Sequence, residues 1–149
     1  MRKAITALSI GMLCFGAFVL LDDDPDRTMV VYMGPSCDCC EVWMGYMEEH
    51  GFTVNEPGSP EDDGMTYRLK IPSALAACHT AVIDGYIVEG HVPVGDVLRM
   101  LNERPDVVGI AVPGMPVGSP GMEGPDPVDY ETLTFDANAR IAVYASHAP

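Results

Sequence analysis

Apolar and polar positions change period along the chain, and each change marks an element. Met29 to Met33 is a short apolar run of strand character. Cys40, Trp43, Met44 and Met47 then recur at helical spacing, which predicts a helix from Cys39 or Cys40 to about His50. Gly51 is well placed to end it. Phe52 to Asn55 predicts a second, short strand. Ser59-Pro60-Glu61-Asp62 has the order of a helix start, with a Ser cap, Pro in the first position and an acid in the first turn; Gly64 weakens that helix. Thr80–Ile83 and Tyr86–Glu89 flank Asp84-Gly85, a pair suited to a tight hairpin turn. Pro93 opens a helix with Val94, Val97, Leu98 and Leu101 on one face, and Pro105 stops it. Gly109 to Pro127 holds five glycines and five prolines in 19 positions, a composition that predicts no regular structure. Ile110, Ala111, Val112 and Val117 are expected to make this segment pack down. Leu133–Phe135 and Ile141–Tyr144 read as a closing hairpin.

The order β-α-β-(α)-β-β-α is that of a thioredoxin or glutaredoxin unit. The expected fold class is therefore α/β (α+β), a thioredoxin-like mixed sheet with flanking helices. A long Gly/Pro-rich loop and a C-terminal β-hairpin follow it. In such a unit the turn after the first strand faces the residues just before the third, here Ala77-Cys78-His79.

Charge divides the chain in two. Arg2 and Lys3 precede an uncharged run from Ala4 to Leu21, and Asp22, Asp23, Asp24 and Asp26 follow. Residues 1–28 thus read as a signal peptide or N-terminal anchor with an acidic linker, and residues 29–149 as one exported, periplasmic domain. Contact with a membrane is expected only through residues 4–21, if they are not cleaved. Without Arg2 and Lys3, six basic residues face 22 acidic ones, a net charge of −16. A nucleic acid or anionic lipid partner is excluded on that balance, and cations are the natural small partners.

Candidate chemistry centres on Cys37-Asp38-Cys39-Cys40, a CxCC motif where a strand feeds a helix. A helix N-terminus favours negative charge and so favours thiolate, both the redox nucleophile and the ligand of soft metals. A dithiol pair has no need of a third adjacent sulfur, whereas a soft ion has. If the fold is as expected, Cys78 and His79 join the three thiols, and His91 reaches the same end of the sheet. Met115 and Met122 lie on a loop stiff enough to form a lid. Cys37, Cys39, Cys40, Cys78, His79, His91, Met115 and Met122 are the candidate metal ligands. Thiolate, imidazole and thioether together suit Cu(I), and their number exceeds what one tetrahedral ion accepts, so several copper ions are expected. Trp43, Met44, Met47 and Met33 are expected in the core, Glu123 near the site or at the surface, and His50 and His147 in solvent.

Four segments together resemble the CopG-type copper-resistance proteins: Cys37-Asp38-Cys39-Cys40, Ala77-Cys78-His79-Thr80, Val88-Glu89-Gly90-His91-Val92-Pro93 and Gly109 through Glu123. The resemblance runs from about Met29 to Tyr144. It implies a thioredoxin-like fold holding a cysteine-bridged copper cluster, and a role in periplasmic copper handling alongside other copper-handling proteins. Cu(I)/Cu(II) oxidoreductase activity is one implied role. Two further readings stay open from the residues: a thiol–disulfide oxidoreductase using Cys37 and Cys40, and a structural zinc module. The methionines speak against zinc.

Overall fold

The computed structural model describes residues 27–34, 36–58 and 64–149. The expected export segment up to residue 26 and the helix start at Ser59–Asp62 lie outside these residues. Within them, Thr28–Met33 forms strand β1, Asp38–Glu49 helix α1, Thr53–Asn55 strand β2 and Met65–Arg68 a single helical turn, α2. After a 3-10 turn at Ser73–Leu75 come β3 (His79–Ile83), β4 (Tyr86–Gly90), α3 (Val94–Glu103), β5 (Gly109–Val112), β6 (Tyr130–Phe135) and β7 (Ile141–His147).

The seven strands make one mixed sheet in the order β2-β1-β3-β4-β5-β6-β7. β1 pairs parallel to β2 and antiparallel to β3, and the Asp84-Gly85 turn joins β3 to β4 antiparallel. Side chains alternate across the sheet with the period of two that extended chain requires. Val88, Ile110 and Val112 face Trp43 and Met47 of α1 and Val97, Met100 and Leu101 of α3. Ile87, Ala111 and Phe135 face the opposite way, against Leu75, Tyr67 and Ile71. The sheet is thus covered on both sides, and Trp43 and Met47 are fully buried beneath α1. Among the described residues no helix is long and apolar enough to cross a membrane.

The stretch expected to lack regular structure begins instead with a central strand. Gly109–Val112 is buried throughout, parallel to β4 and antiparallel to β6. Gly109 admits this: a Cβ there would sit 2.1 Å from the Ile87 carbonyl oxygen. The Pro/Gly content after Val112 masked four apolar positions that pair on both edges. The closing hairpin is likewise longer than expected on both arms, β6 beginning at Tyr130 and β7 running to His147.

Candidate metal centre

The three-thiol turn sits where β1 hands over to α1. Ser36 takes a left-handed conformation (φ 62°), and Cys37 becomes the N-cap of the helix. The backbone N–H groups of Cys40 and Glu41 both donate to the Cys37 carbonyl, at 2.9 and 3.2 Å. That closure winds three sulfurs into one turn. Cys40 points into the core, while Cys37 and Cys39 are half-buried. Cys37 and Cys40 are joined as a disulfide, and Cys39 and Cys78 are free thiols. The Cys37 and Cys39 sulfurs lie 3.7 Å apart.

Cys78 arrives from the other side, as the sheet pairing requires. Met33, the last residue of β1, pairs with His79, the first of β3, so the residue before β3 lands beside the residues after β1. The four sulfurs of Cys37, Cys39, Cys40 and Cys78 all lie within 4.8 Å of one another. Donor atoms of Cys78, His79 and His91 make a second group within the same limit. Cys78 Sγ is 3.6 Å from His79 Nδ1 and 3.4 Å from His91 Nε2.

Each of these side chains is held from behind. Glu89, almost fully buried, accepts the Ala77 backbone N–H at 2.6 Å and the Thr80 hydroxyl at 2.7 Å, so it pins the chain on both sides of Cys78 and His79. The His79 ring packs against Trp43 (centroids 4.5 Å) and edge-on against His91 (5.1 Å). The Trp43 indole N–H donates to the Val92 carbonyl at 3.0 Å, tying α1 to the residue after His91. His91 Nδ1 lies 2.8 Å from the Pro120 carbonyl oxygen; as the only atom there able to give a proton, it donates and leaves Nε2 toward Cys78.

The electrostatics oppose charge. Burial, assisted by the neighbouring His91, pushes His79 down to about 3. Burial also lowers His91. Both imidazoles are therefore neutral, the form that binds metal. Burial, the nearby Cys39 and Glu89 push the Cys78 thiol up to about 11. A cation that displaces this proton relieves the penalty. The Nε2 of the fully buried His79 has no hydrogen-bond partner. It is the ring's other nitrogen, Nδ1, that faces Cys78 and the donor cluster.

The Gly/Pro-rich loop reaches the site at one point. Gly121 (φ 80°) lies so close that a Cβ would stand 3.0 Å from the Cys39 carbonyl, 3.1 Å from the Trp43 nitrogen and 3.2 Å from His91 Nδ1. Ser119, fully buried, fixes the turn before it by donating its N–H and hydroxyl to the Pro116 carbonyl. Glu123 accepts the Gly121 N–H. Met122, the next residue after Gly121, is half-buried; Met115 is 41% exposed. So the fold brings Cys37, Cys39, Cys40, Cys78, His79 and His91 together and sets Met122 next in the chain to the loop's contact point, while Met115 stands at the surface.

His50 is exposed as expected, but His147 is not a solvent side chain. Its Nε2 lies 2.8 Å from the buried Asp96 carboxylate, which also accepts the Thr132 hydroxyl, and its ring stacks on Tyr130. The longer β7 carries His147 back over α3, which a hairpin ending at Tyr144 does not. Glu89 and the Pro120 carbonyl carry no sequence-based role, yet both hold the site. The hairpin register alone sets Thr80 opposite Glu89 and is the signal for the first; nothing in the sequence marks the second.

Residues 75–122, from Leu75 through Met122, match a family described as "Protein of unknown function, DUF411". No curated protein matches the chain. Two solved structures are similar to it. One, titled "Copper resistance protein copG- Form 1", is 40% identical at a TM-score of 0.72, covering 82% of this chain and 98% of that one. The other, "Copper resistance protein copG- Form 2", has the same identity and TM-score and covers 80% and 97%.

Proposed function

This chain belongs to the family of the copper-resistance protein CopG, and on that premise we propose that it binds Cu(I) in a multinuclear site bridged by cysteine thiolates. The observation that carries the reading is the convergence of four cysteine sulfurs within 4.8 Å, three from one helical turn and one from across the sheet. Soft thiolates select Cu(I), and sulfur readily bridges ions that outnumber single-ion coordination. Cys37, Cys39, Cys40 and Cys78 supply the thiolates, with Cys37 and Cys40 in their reduced form. His79 and His91 are imidazole donors that also suit Cu(II), which supports a site that tolerates both oxidation states. Met122 and Met115 are proposed as thioether donors from the loop, Met122 the better placed. Bound copper supplies one-electron redox chemistry. The chain's own part is to hold neutral imidazoles and crowded thiols in a partly buried place that limits water.

The strand order β2-β1-β3-β4 supports the thioredoxin-like reading. The uncharged run before Asp22 supports export to the periplasm, and the similarity to copper-resistance proteins supports a role in copper resistance there. Titration of reduced protein with Cu(I) tests the function. More than one ion per chain is expected, with loading collapsing in Cys39→Ser; one ion or fewer overturns the cluster.

The Cys37–Cys40 disulfide favours a second reading, a thiol–disulfide oxidoreductase. In it the dithiol gives two electrons and two protons to a partner disulfide and closes into the observed bond. It requires metal-free turnover of insulin that is indifferent to changes at His79. Buried imidazoles around Cys78 have no part in that exchange, which leaves copper the better account.

A further inference from the structure

We infer that the outer face of the β6–β7 hairpin is a self-association surface, on which a second copy of this chain docks about a two-fold axis. The inference uses none of the metal donors and does not rest on the copper reading.

Strand β7 is covered on one side and bare on the other. On the α3 side the Arg99 guanidinium lies 4.1 Å from the centre of the Tyr144 ring, and His147 stacks on Tyr130. The opposite side carries the row in which Leu133 pairs with Val143 and Phe135 with Ile141. Cross-strand partners share a face, and here it is the face that Tyr67, Ile71 and Leu75 cover. That cover ends over Phe135, which is fully buried. Beyond it Leu133 is half-buried, while Ile141 and Val143 are 43% and 58% exposed, with nothing packed over them among the described residues. Leu69, 79% exposed, joins them across a hollow of about 730 Å³ between residues 69–72 and the β6–β7 turn. Large apolar side chains left exposed together on one face mark a surface that a partner covers.

Charge selects the occupant. Lys70 and Arg140, both exposed, stand at the end of the face made by the β6–β7 turn. Asp129 and Glu131, also exposed, stand at the other end, where a cleft of about 750 Å³ opens between the hairpin and Pro113 and Pro116. A face that is basic at one end, apolar in the middle and acidic at the other is complementary to itself after a half-turn. A two-fold axis then seats each basic end on the partner's acidic end and joins the two apolar middles. A wholly basic partner meets Lys70 and Arg140, and a wholly acidic one meets Asp129 and Glu131, so a copy fits better than either. The hairpin's second arm carries no repulsion of its own. None of the 22 acidic residues follows Asp136, although the net charge of −14 keeps other faces of two copies apart. Arg99 takes the Tyr144 carbonyl at 3.0 Å beside the register shift, which blunts the free edge of β7. The contact is therefore made through the face and not by adding a strand to that edge.

Sedimentation equilibrium of the full chain tests this, with the protein metal-free and fully reduced so that neither copper nor a disulfide links two copies. The mass is expected to rise with concentration toward twice that of the chain. Val143→Glu places a charge in the apolar middle and is expected to weaken association at least tenfold. Arg140→Glu, a change at a side chain that is 80% exposed, is expected to do the same without disturbing the fold. The exchange Arg140→Glu/Glu131→Arg restores opposite charges across the two-fold axis and is expected to restore the dimer. Far-UV circular dichroism and Trp43 fluorescence matching the wild type establish that each variant is folded. A wild-type chain that stays monomeric at every concentration, or association undiminished in Arg140→Glu and in folded Val143→Glu, overturns the inference. An exchange variant that stays monomeric overturns the two-fold seating. Cu(I) stoichiometry bears on none of these results, so the copper reading and this one fall separately.

Discussion

Glu89 holds the chain that carries Cys78, and its replacement by glutamine tests that role. The carboxylate accepts two hydrogen bonds, from the Ala77 N–H at 2.6 Å and from the Thr80 hydroxyl at 2.7 Å. A glutamine side chain offers one acceptor oxygen, so one of the two donors must face an amide NH2 instead. A buried donor left without a partner costs about 1–3 kcal/mol. Burial already pushes the Glu89 pKa above its ordinary value, against the pull of those same two hydrogen bonds. The amide escapes that charge burial, so the loss in Glu89→Gln belongs toward the lower end, about 1–2 kcal/mol. Urea unfolding of metal-free protein reads it, followed by the fluorescence of Trp43, the single tryptophan, which is buried against His79. Thr80→Val completes a double-mutant cycle, and a coupling of about 0.5–3 kcal/mol with Glu89→Gln is expected for side chains in direct contact. Because supports behind metal ligands typically carry 10–100-fold in affinity, Cu(I) binding should weaken by about that factor. An unchanged unfolding midpoint together with zero coupling refutes the anchoring role.

Three other outcomes follow from the same geometry. His79 is held neutral to about pH 3 in the fold but protonates near 6.5 when unfolded. The unfolded chain therefore binds more protons in that window, and His79 costs the metal-free protein about 1.4 kcal/mol of stability per pH unit as pH falls below 6.5. The unfolding free energy of His79→Gln should vary less with pH over that range; equal slopes contradict the burial. Gly121→Ala puts a Cβ at positive φ within 3.0 Å of the Cys39 carbonyl. It should cost about 1–3 kcal/mol by thermal unfolding and loosen the loop to proteolysis, and wild-type behaviour in both rejects the close contact. Asp96→Asn weakens the carboxylate that binds Thr132 and His147, with an expected loss of about 1–2 kcal/mol that a preceding His147→Ala reduces.

Local chemistry made most of this architecture legible. Asp84-Gly85 set a hairpin and its register, Pro93 and Pro105 bounded α3, and Gly51 ended α1. The site was legible to the same depth, because three thiols in one turn need no tertiary knowledge and strand order alone brings Cys78 to them. Four things were hidden. β5 was hidden because its four apolar residues open a Pro/Gly-rich stretch, and only pairing on both edges makes them a strand. The roles of Pro120 and Gly121 were hidden because a backbone carbonyl and an absent side chain leave no pattern in residue types. His147 was hidden because its partner Asp96 lies 51 residues earlier and the hairpin between them outruns its apolar core. The disulfide was hidden for a different reason: spacing permits a Cys37–Cys40 bond and a metal site equally.

Copper-edge X-ray absorption on reduced protein loaded with Cu(I) probes the shared thiolate pocket most directly. A first shell dominated by sulfur and a copper–copper scattering path are expected, both diminished in Cys78→Ser. A shell of nitrogen and oxygen with no copper–copper path, or a spectrum indifferent to Cys78, contradicts it.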